Sequence, residues 1–475
     1  MKIKSQLREI WHGSLWNRIV LWLLLTASGW YLSQWVPPMQ SPDENHHIAR
    51  AYLLGQGGWG LQTAPGKMSG GMIDAGLEEY IQLNMFLAGK PGFKFTEPER
   101  AYIHQIAWQS ASSKKYFEMP GTGYYLPLVY LPHALGLRVS EALDLSIHHS
   151  YQVTRLLVLG ASMGLILWAL SIFNPGPGVL AMLLLPMTLF QMLLPTIDGF
   201  TTALSLMVVA LFARGFQNAT DSDDTIISSF FASACLLLVV TSRIHLLPML
   251  LLPFVSSWRR RKFSDAVWGT GVAVIAAAWM ILALTQTVDT RIPRMHTTSE
   301  LLKHYSIAPW EFFIVLWKTL SSTDMREFYW HSFIGILGWL DAPLLKTHYI
   351  WISGGLLLCI LFTISPPRSM KDMAFRSTML FISIASTLLI FFALLITWTP
   401  HPTETIAGVQ GRYFIIPAIL FCIALHGINS KKNPAQGRTH LTTTRSALLG
   451  IQYLLVTLFA AMCFFILVSS LNARY

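Results

Sequence analysis

Three groups of polar residues in this 475-residue chain have types and spacing suited to chemistry. The first is Pro37-Pro38-Met39-Gln40-Ser41-Pro42-Asp43-Glu44-Asn45-His46-His47, directly after an apolar run from Ile19 to Val36. Ser41-Pro42-Asp43-Glu44 has the form of a helix start, with proline in the first turn and acids at the positive end of the dipole. Ile48, Ala49, Tyr52 and Leu53 continue it as an apolar face. Asp43 or Glu44, held at such a boundary, is suited to take a proton from a hydroxyl in a partly desolvated site. The plainer role is a cap on a loop helix, and Asp-Glu-Asn-His-His also has metal-ligating residue types. The second group is Pro195-Thr196-Ile197-Asp198-Gly199. An acid between two apolar runs is costly unless it faces a cavity or a partner, although Asp-Gly is also ordinary turn chemistry. The third group is cationic: Arg155, Ser242-Arg243-Ile244-His245 and Gln410-Gly411-Arg412-Tyr413. Guanidinium matches phosphate in a bidentate way, and singly such an arginine also snorkels to lipid headgroups.

The surrounding chain is made for a bilayer. Only 12% of residues are charged, 53% are hydrophobic and mean hydropathy is +0.48, where soluble domains carry roughly 25% charged residues. A soluble fold of this composition would expose large apolar patches. That excludes a soluble enzyme, a disordered chain and a secreted disulfide scaffold. The apolar runs are of helix length, so the fold class is an all-α polytopic membrane protein and not a barrel. The net charge of +10 sits in short clusters between apolar runs, with no basic–aromatic face, so no nucleic-acid partner is expected. Cys235, Cys359, Cys422 and Cys463 all lie within apolar runs and read as small buried hydrophobes.

Runs of spanning length begin near residues 18, 152, 178, 199, 226, 244, 265, 348, 378, 413 and 447, giving eleven expected spans. The start of the chain (Lys2, Lys4, Arg8, Arg18) has no cleavable signal pattern, and its apolar run is long enough to remain as the first span. Further basic clusters are Arg259-Arg260-Arg261-Lys262, Arg368 with Lys371 and Arg376, and Lys431-Lys432 with Arg438 and Arg445. Placing all four clusters inside threads the chain consistently, with the N-terminus in and the C-terminus out. Asn218 to Asp224 then also lies inside. Residues 124–140 read as an interfacial helix on the outer surface. Residues 308–344 read either as an interfacial pair or as a spanning hairpin that would raise the total to thirteen. Segments 37–150 and 288–346 then face outward, on the side that carries Asp43, Asp198, Arg155, Arg243 and Arg412. Outer arginines run against the positive-inside bias, so each needs a local partner. No internal repeat is evident, which weakens a transporter built from inverted halves.

The motif Pro42-Asp43-Glu44-x-x-His47-x-x-Arg50-Ala51-Tyr52 resembles the opening of a family of uncharacterised bacterial multi-pass membrane proteins. Gly123-Tyr124-Tyr125-Leu126-Pro127, Arg155-Leu156, Asp198, Gly335-x-x-Gly338-Trp339-Leu340-Asp341 and Gly408-Val409-Gln410-Gly411-Arg412-Tyr413 follow in the same order. That family in turn resembles the GT-C superfamily of membrane glycosyltransferases. The resemblance implies one GT-C-like transmembrane domain over residues 1–475, juxtamembrane helices on the outer face, and a sugar donor carried on polyprenyl phosphate. It implies an inner-membrane enzyme whose site faces the periplasm or cell exterior. Its acceptor would be a cell-surface glycan or a lipid-linked molecule, as in assembly of polysaccharide or lipopolysaccharide of the cell envelope. The chain departs from the pattern in having no clear large soluble domain after its last span. On this reading Asp43 is the general base and Glu44 the second choice. Asp198 orients the acceptor or shares a divalent cation with Asp43. Arg243 and Arg412 hold the departing phosphate, with Arg155 or His245 assisting. His47, Tyr413 and Asp341 are acceptor or supporting residues. In-line attack would invert the anomeric centre. The alternatives are a transporter or flippase, or a polymerase or ligase, of lipid-linked glycans.

Overall fold

The computed structural model describes residues 15–109, 113–217, 226–293, 295–428 and 441–475. Lys2, Lys4, Arg8, the Asn218–Asp224 segment, Lys431, Lys432 and Arg438 lie outside the described residues, as does the side chain of Arg445. What is described is mainly helical, as a hydrocarbon environment demands when no water is present to bond a free N–H or C=O.

Five helices among the described residues are long and apolar enough to cross a membrane: Ile147–Ile172, Ile197–Phe216, Phe263–Gln286, Met370–Thr397 and Leu448–Arg474. Shorter apolar helices cover Ser228–Ser242, Lys346–Leu361 and Gly411–His426, and the run after the basic start forms the helix Leu15–Ser33. Two expected spans are broken by proline. The run near 178 becomes Pro177–Leu183 and Pro186–Leu193, each opening with proline in its first turn. The run near 244 becomes a 3-10 turn, Ile244–Leu250, with Pro248 inside it, and then Leu251–Arg260. Proline has no N–H to bond and its ring clashes with the preceding turn, so each break falls where the ring sits.

The helix Ile197–Phe216 is the centre of the bundle: 83% of its apolar window is buried, against 22% for Phe263–Gln286 and 28% for Leu448–Arg474. The outer two therefore turn most of their surface to lipid. The helix Leu131–Ala142 buries His133, Ala134, Gly136, Leu137 and Ser140, while Leu131, Leu135 and Val139 are exposed. Spaced by four, these three form an apolar stripe on one face, as the interfacial reading requires. Pro309–Ser321 and Thr323–Ile334 have 13 and 12 residues, about 18–20 Å each at 1.5 Å per residue. Each falls short of the roughly 30 Å hydrocarbon core, so the spanning hairpin that would make thirteen is not matched by their length.

Segment 37–150 also holds an antiparallel sheet of β1 (Gln62–Thr63), β2 (Ser69–Asp74) and β3 (Lys114–Glu118) in that order. Gly70 stands opposite Glu118, and a Cβ at Gly70 would sit 2.0 Å from the Phe117 carbonyl oxygen. Asp74 ends β2 and caps the helix Ala75–Met85, accepting from the Gly76 and Leu77 amides.

Threading is testable at the tip between the two short helices. Thr323 is exposed and the four native cysteines are buried, so Thr323→Cys is the accessible thiol. A membrane-impermeant maleimide is expected to label it from the same side as Thr290→Cys, also at an exposed position; labelling from opposite sides would mean that the hairpin spans.

Candidate active site

The turn after the first helix is built on two non-glycine residues with left-handed backbone, Met39 (φ 62°) and Asp43 (φ 67°). Asp43 occupies the N-cap position of the helix Glu44–Gly55 but makes no side-chain capping bond. Left-handed φ is uncommon outside glycine, though aspartate tolerates it better than most. Here it turns the carboxylate away from the helix end. Glu44 does the work of closing the turn. Its carboxylate accepts from the Met39 amide at 3.1 Å, the Ser41 amide at 3.0 Å and the Tyr151 hydroxyl.

Glu44 is fully enclosed, and burial pushes its carboxyl up against the lowering pull of Arg155. Its carboxylate is thus engaged within the turn, whereas that of Asp43 is open. Arg155 belongs to the same inner network. It is 1% exposed and donates to the Ser33 carbonyl at 2.6 Å, to the Val36 carbonyl and to the Tyr151 hydroxyl. Its hydrogen bonds satisfy carbonyls freed at the end of the first helix, so it is a clamp on the chain and not a phosphate ligand.

The remaining acids and arginines meet. Arg243, at the end of Ile226–Ser242, pairs with Asp198 Oδ1 in the first turn of the central helix. Arg412, in the 3-10 turn Gly411–Phe414, lies 3.8 Å from Asp198 Oδ2 and 3.7 Å from Asp43 Oδ2. The Asp43 side chain is 47% exposed while those of Asp198, Arg243 and Arg412 are 11%, 13% and 6% exposed. The result is an open carboxylate above a recessed pair of guanidinium groups, both anchored on one buried acid. Arg412 stands between the two carboxylates, so a cation shared by Asp43 and Asp198 would have to displace it. Among the described residues no group of three or more His, Cys, Asp or Glu is arranged to hold a metal ion.

Tyr125 lines the same space, with the Arg243 guanidinium 5.7 Å over its ring. His47 is buried and hydrogen-bonded through Nδ1 to the Tyr130 hydroxyl at 2.7 Å. Burial, then Arg243 and the neighbouring His133, hold His47 well below the usual histidine range, so it stays neutral. It supports the site from within. Tyr413 follows Arg412, whose guanidinium lies 5.4 Å over its ring. His245 is buried in the 3-10 turn just past Arg243. Asp341 lies elsewhere, salt-bridged to Arg474 at 2.8 Å and accepting from the Trp339 amide. It reaches the site indirectly, since the Trp339 indole N–H donates to the Met39 carbonyl at 2.7 Å.

The family model that matches this chain describes predicted membrane proteins, DUF2142, and aligns with residues 24–422. The chain belongs to the DUF2142 family. No curated protein and no solved structure matches it. The matched stretch of this DUF2142 chain includes every residue of the acid–arginine cluster.

Arg291 is a functional candidate that the sequence reading missed. It forms a two-pronged pair with Asp289, Nε to Oδ1 at 2.9 Å and an Nη to Oδ2 at 2.7 Å, and lies 5.0 Å over the Trp398 ring. Against the lowering effect of burial, Asp289 and then Asp43 and Tyr125 push its guanidinium above the usual arginine range. Its charge acts on His46, which burial holds below its ordinary value while Asp43 pulls it up. The signal was present: Arg291 follows a span on the expected outer side, as Arg243 does.

The position of Arg412 depends on a glycine. The Gly411 amide donates to the Ser332 hydroxyl at 2.7 Å, and a Cβ there would fall 2.1 Å from the Phe333 amide nitrogen and 2.2 Å from the Tyr329 carbonyl oxygen. Both obstacles are backbone. Gly411→Ala is expected to cost about 1–3 kcal/mol through overpacking and to lower the thermal midpoint in detergent. An unchanged midpoint would mean that the turn has room to shift.

Proposed function

We propose that this DUF2142 protein is a membrane glycosyltransferase of the GT-C kind, moving a sugar from a polyprenyl-phosphate carrier to a cell-surface or lipid-linked acceptor on the extracytoplasmic face of the inner membrane. The observation that carries this reading is the convergence of Arg243, Arg412 and Asp198 under the open carboxylate of Asp43. Transfer from a phosphate-linked sugar needs a base for the acceptor hydroxyl and a cation for the phosphate that departs. Asp43 has the exposure for the first task. Arg243 and Arg412 have the charge and the fork geometry for the second, and Asp198 holds them oriented before substrate arrives. Pre-oriented charges cost no reorganisation when negative charge builds up on the leaving group.

In the proposed step, Asp43 takes the proton from the acceptor hydroxyl. The oxygen attacks the anomeric carbon, the bond from that carbon to phosphate oxygen breaks, and the carrier leaves as polyprenyl phosphate against the two arginines. One in-line displacement inverts the anomeric centre. Arg291 is a third cation at the rim, already engaged by Asp289. Rim chemistry is favoured over a transport path by the central helix, which carries no charged residue between Asp198 and Arg214. A conduit for an anionic lipid-linked glycan needs charge deep within its spans.

Asp43→Asn is expected to reduce sugar transfer by about 10²–10⁴-fold, the usual contribution of a general base, while the protein inserts in normal amounts. The assay is release of carrier phosphate from a panel of radiolabelled polyprenyl-phosphate sugars by purified protein. Full activity of that variant would remove Asp43 from the mechanism. Arg412→Ala is expected to slow transfer by about 10²–10³-fold, comparable with loss of one charge-stabilising donor. Unimpaired turnover in that variant would end the phosphate-holding role.

A further inference from the structure

A second polar space, a cavity of about 230 Å³, shares none of its lining with the acid–arginine cluster. Gln34 and Trp35 line it just past the first helix, and Gln152 lines it near the start of Ile147–Ile172. The Gln34 amide donates to the Gln152 side-chain oxygen at 2.9 Å and ties the two helix ends together. Trp30, Tyr31 and Trp35 are exposed around this level, as aromatic side chains are where a bilayer meets water. The cavity therefore opens at headgroup depth.

The charged side chains in its lining are of one sign. Lys94 and Arg100 contribute to the wall, with the rings of His104 and His148 stacked 3.8 Å apart, and no Asp or Glu lines it. The acid paired with Arg100 is Glu97 at 3.5 Å, its side chain 88% exposed, and such a pair in water is worth little. Tyr475 also lines the cavity. Phe93 and Phe95 form an apolar side, their rings edge-to-face at 5.9 Å. Cationic donors on one side with aromatic rings on the other match an amphiphile with an anionic head.

We infer that this cavity binds the phosphate of an anionic lipid headgroup, held by Lys94 and Arg100. The test uses purified full-length protein in nanodiscs of phosphatidylcholine with a minor fraction of phosphatidylglycerol, with retained lipid counted by native mass spectrometry. Wild-type protein is expected to keep one phosphatidylglycerol with about tenfold preference, the worth of one charge-assisted hydrogen bond. The double variant K94Q/R100Q loses that preference, and K94R/R100K retains it. The Arg100 side chain is 47% exposed, so these changes leave the core intact. Equal retention of both lipids by wild-type protein, or unchanged preference in K94Q/R100Q, overturns the assignment. A parallel titration with inorganic phosphate separates the sources. Stabilisation by phosphate alone in wild-type but not in K94Q/R100Q, with no lipid retained, would overturn the lipid source. Asp43 does not line the cavity, so Asp43→Asn keeps the lipid preference whether or not the glycosyl-transfer reading stands.

Discussion

The ion pairing of Asp198 with Arg243 and Arg412 is the constraint around which the rest of the site is arranged. A carboxylate in the first turn of the most buried helix of the bundle loses hydration that only paired charge can replace. Two guanidinium groups supply it, each from the end of a different apolar helix. Holding them there fixes the ends of three helices relative to one another. It also leaves Asp43, next to Arg412, as the exposed member of the group. The charge that stabilises the junction is thus the same charge that is available to a substrate.

A second network works in parallel and makes no claim on a substrate. Arg155 bonds the Ser33 carbonyl at the end of the first helix, Tyr151 links it to Glu44, and Glu44 closes the turn that presents Asp43. The two neighbouring acids therefore divide their work by direction. Glu44 points inward to backbone amides and Asp43 outward to the arginines. Asp43 has a left-handed backbone, and Glu44 is the first residue of the helix. Trp339 holds the same turn from segment 288–346 by bonding the Met39 carbonyl. Gly411, pressed against the Thr323–Ile334 helix, sets Arg412 from that segment too.

Segments 37–150 and 288–346 thus serve as braces for residues carried at helix ends. Short helices and a small sheet suit this role, because each is anchored by a few specific contacts and needs no core of its own. The DUF2142 match over residues 24–422 takes in both segments together with the helices they brace.

Composition and periodicity determined the class of protein: sparse charge and helix-length apolar runs permit only a helical membrane fold. The same reading put Asp43, Asp198, Arg243 and Arg412 at helix ends of one expected side, because charge is excluded from the interior of a span. Sequence alone ranked Asp43 ahead of Glu44 but offered no sign that Glu44 closes a turn on the Met39 and Ser41 amides. It also grouped Arg155 with the other arginines, because a clamp on backbone carbonyls and a ligand for phosphate look alike at a span end. Arg291 went unremarked despite the same signal. Asp341 stood in a motif as suggestive as the others, yet its partner is Arg474, 133 residues further along. Which charges face one another depends on how helices pack across hundreds of residues, and that is decided by tertiary structure because an ion pair has no local sequence signature.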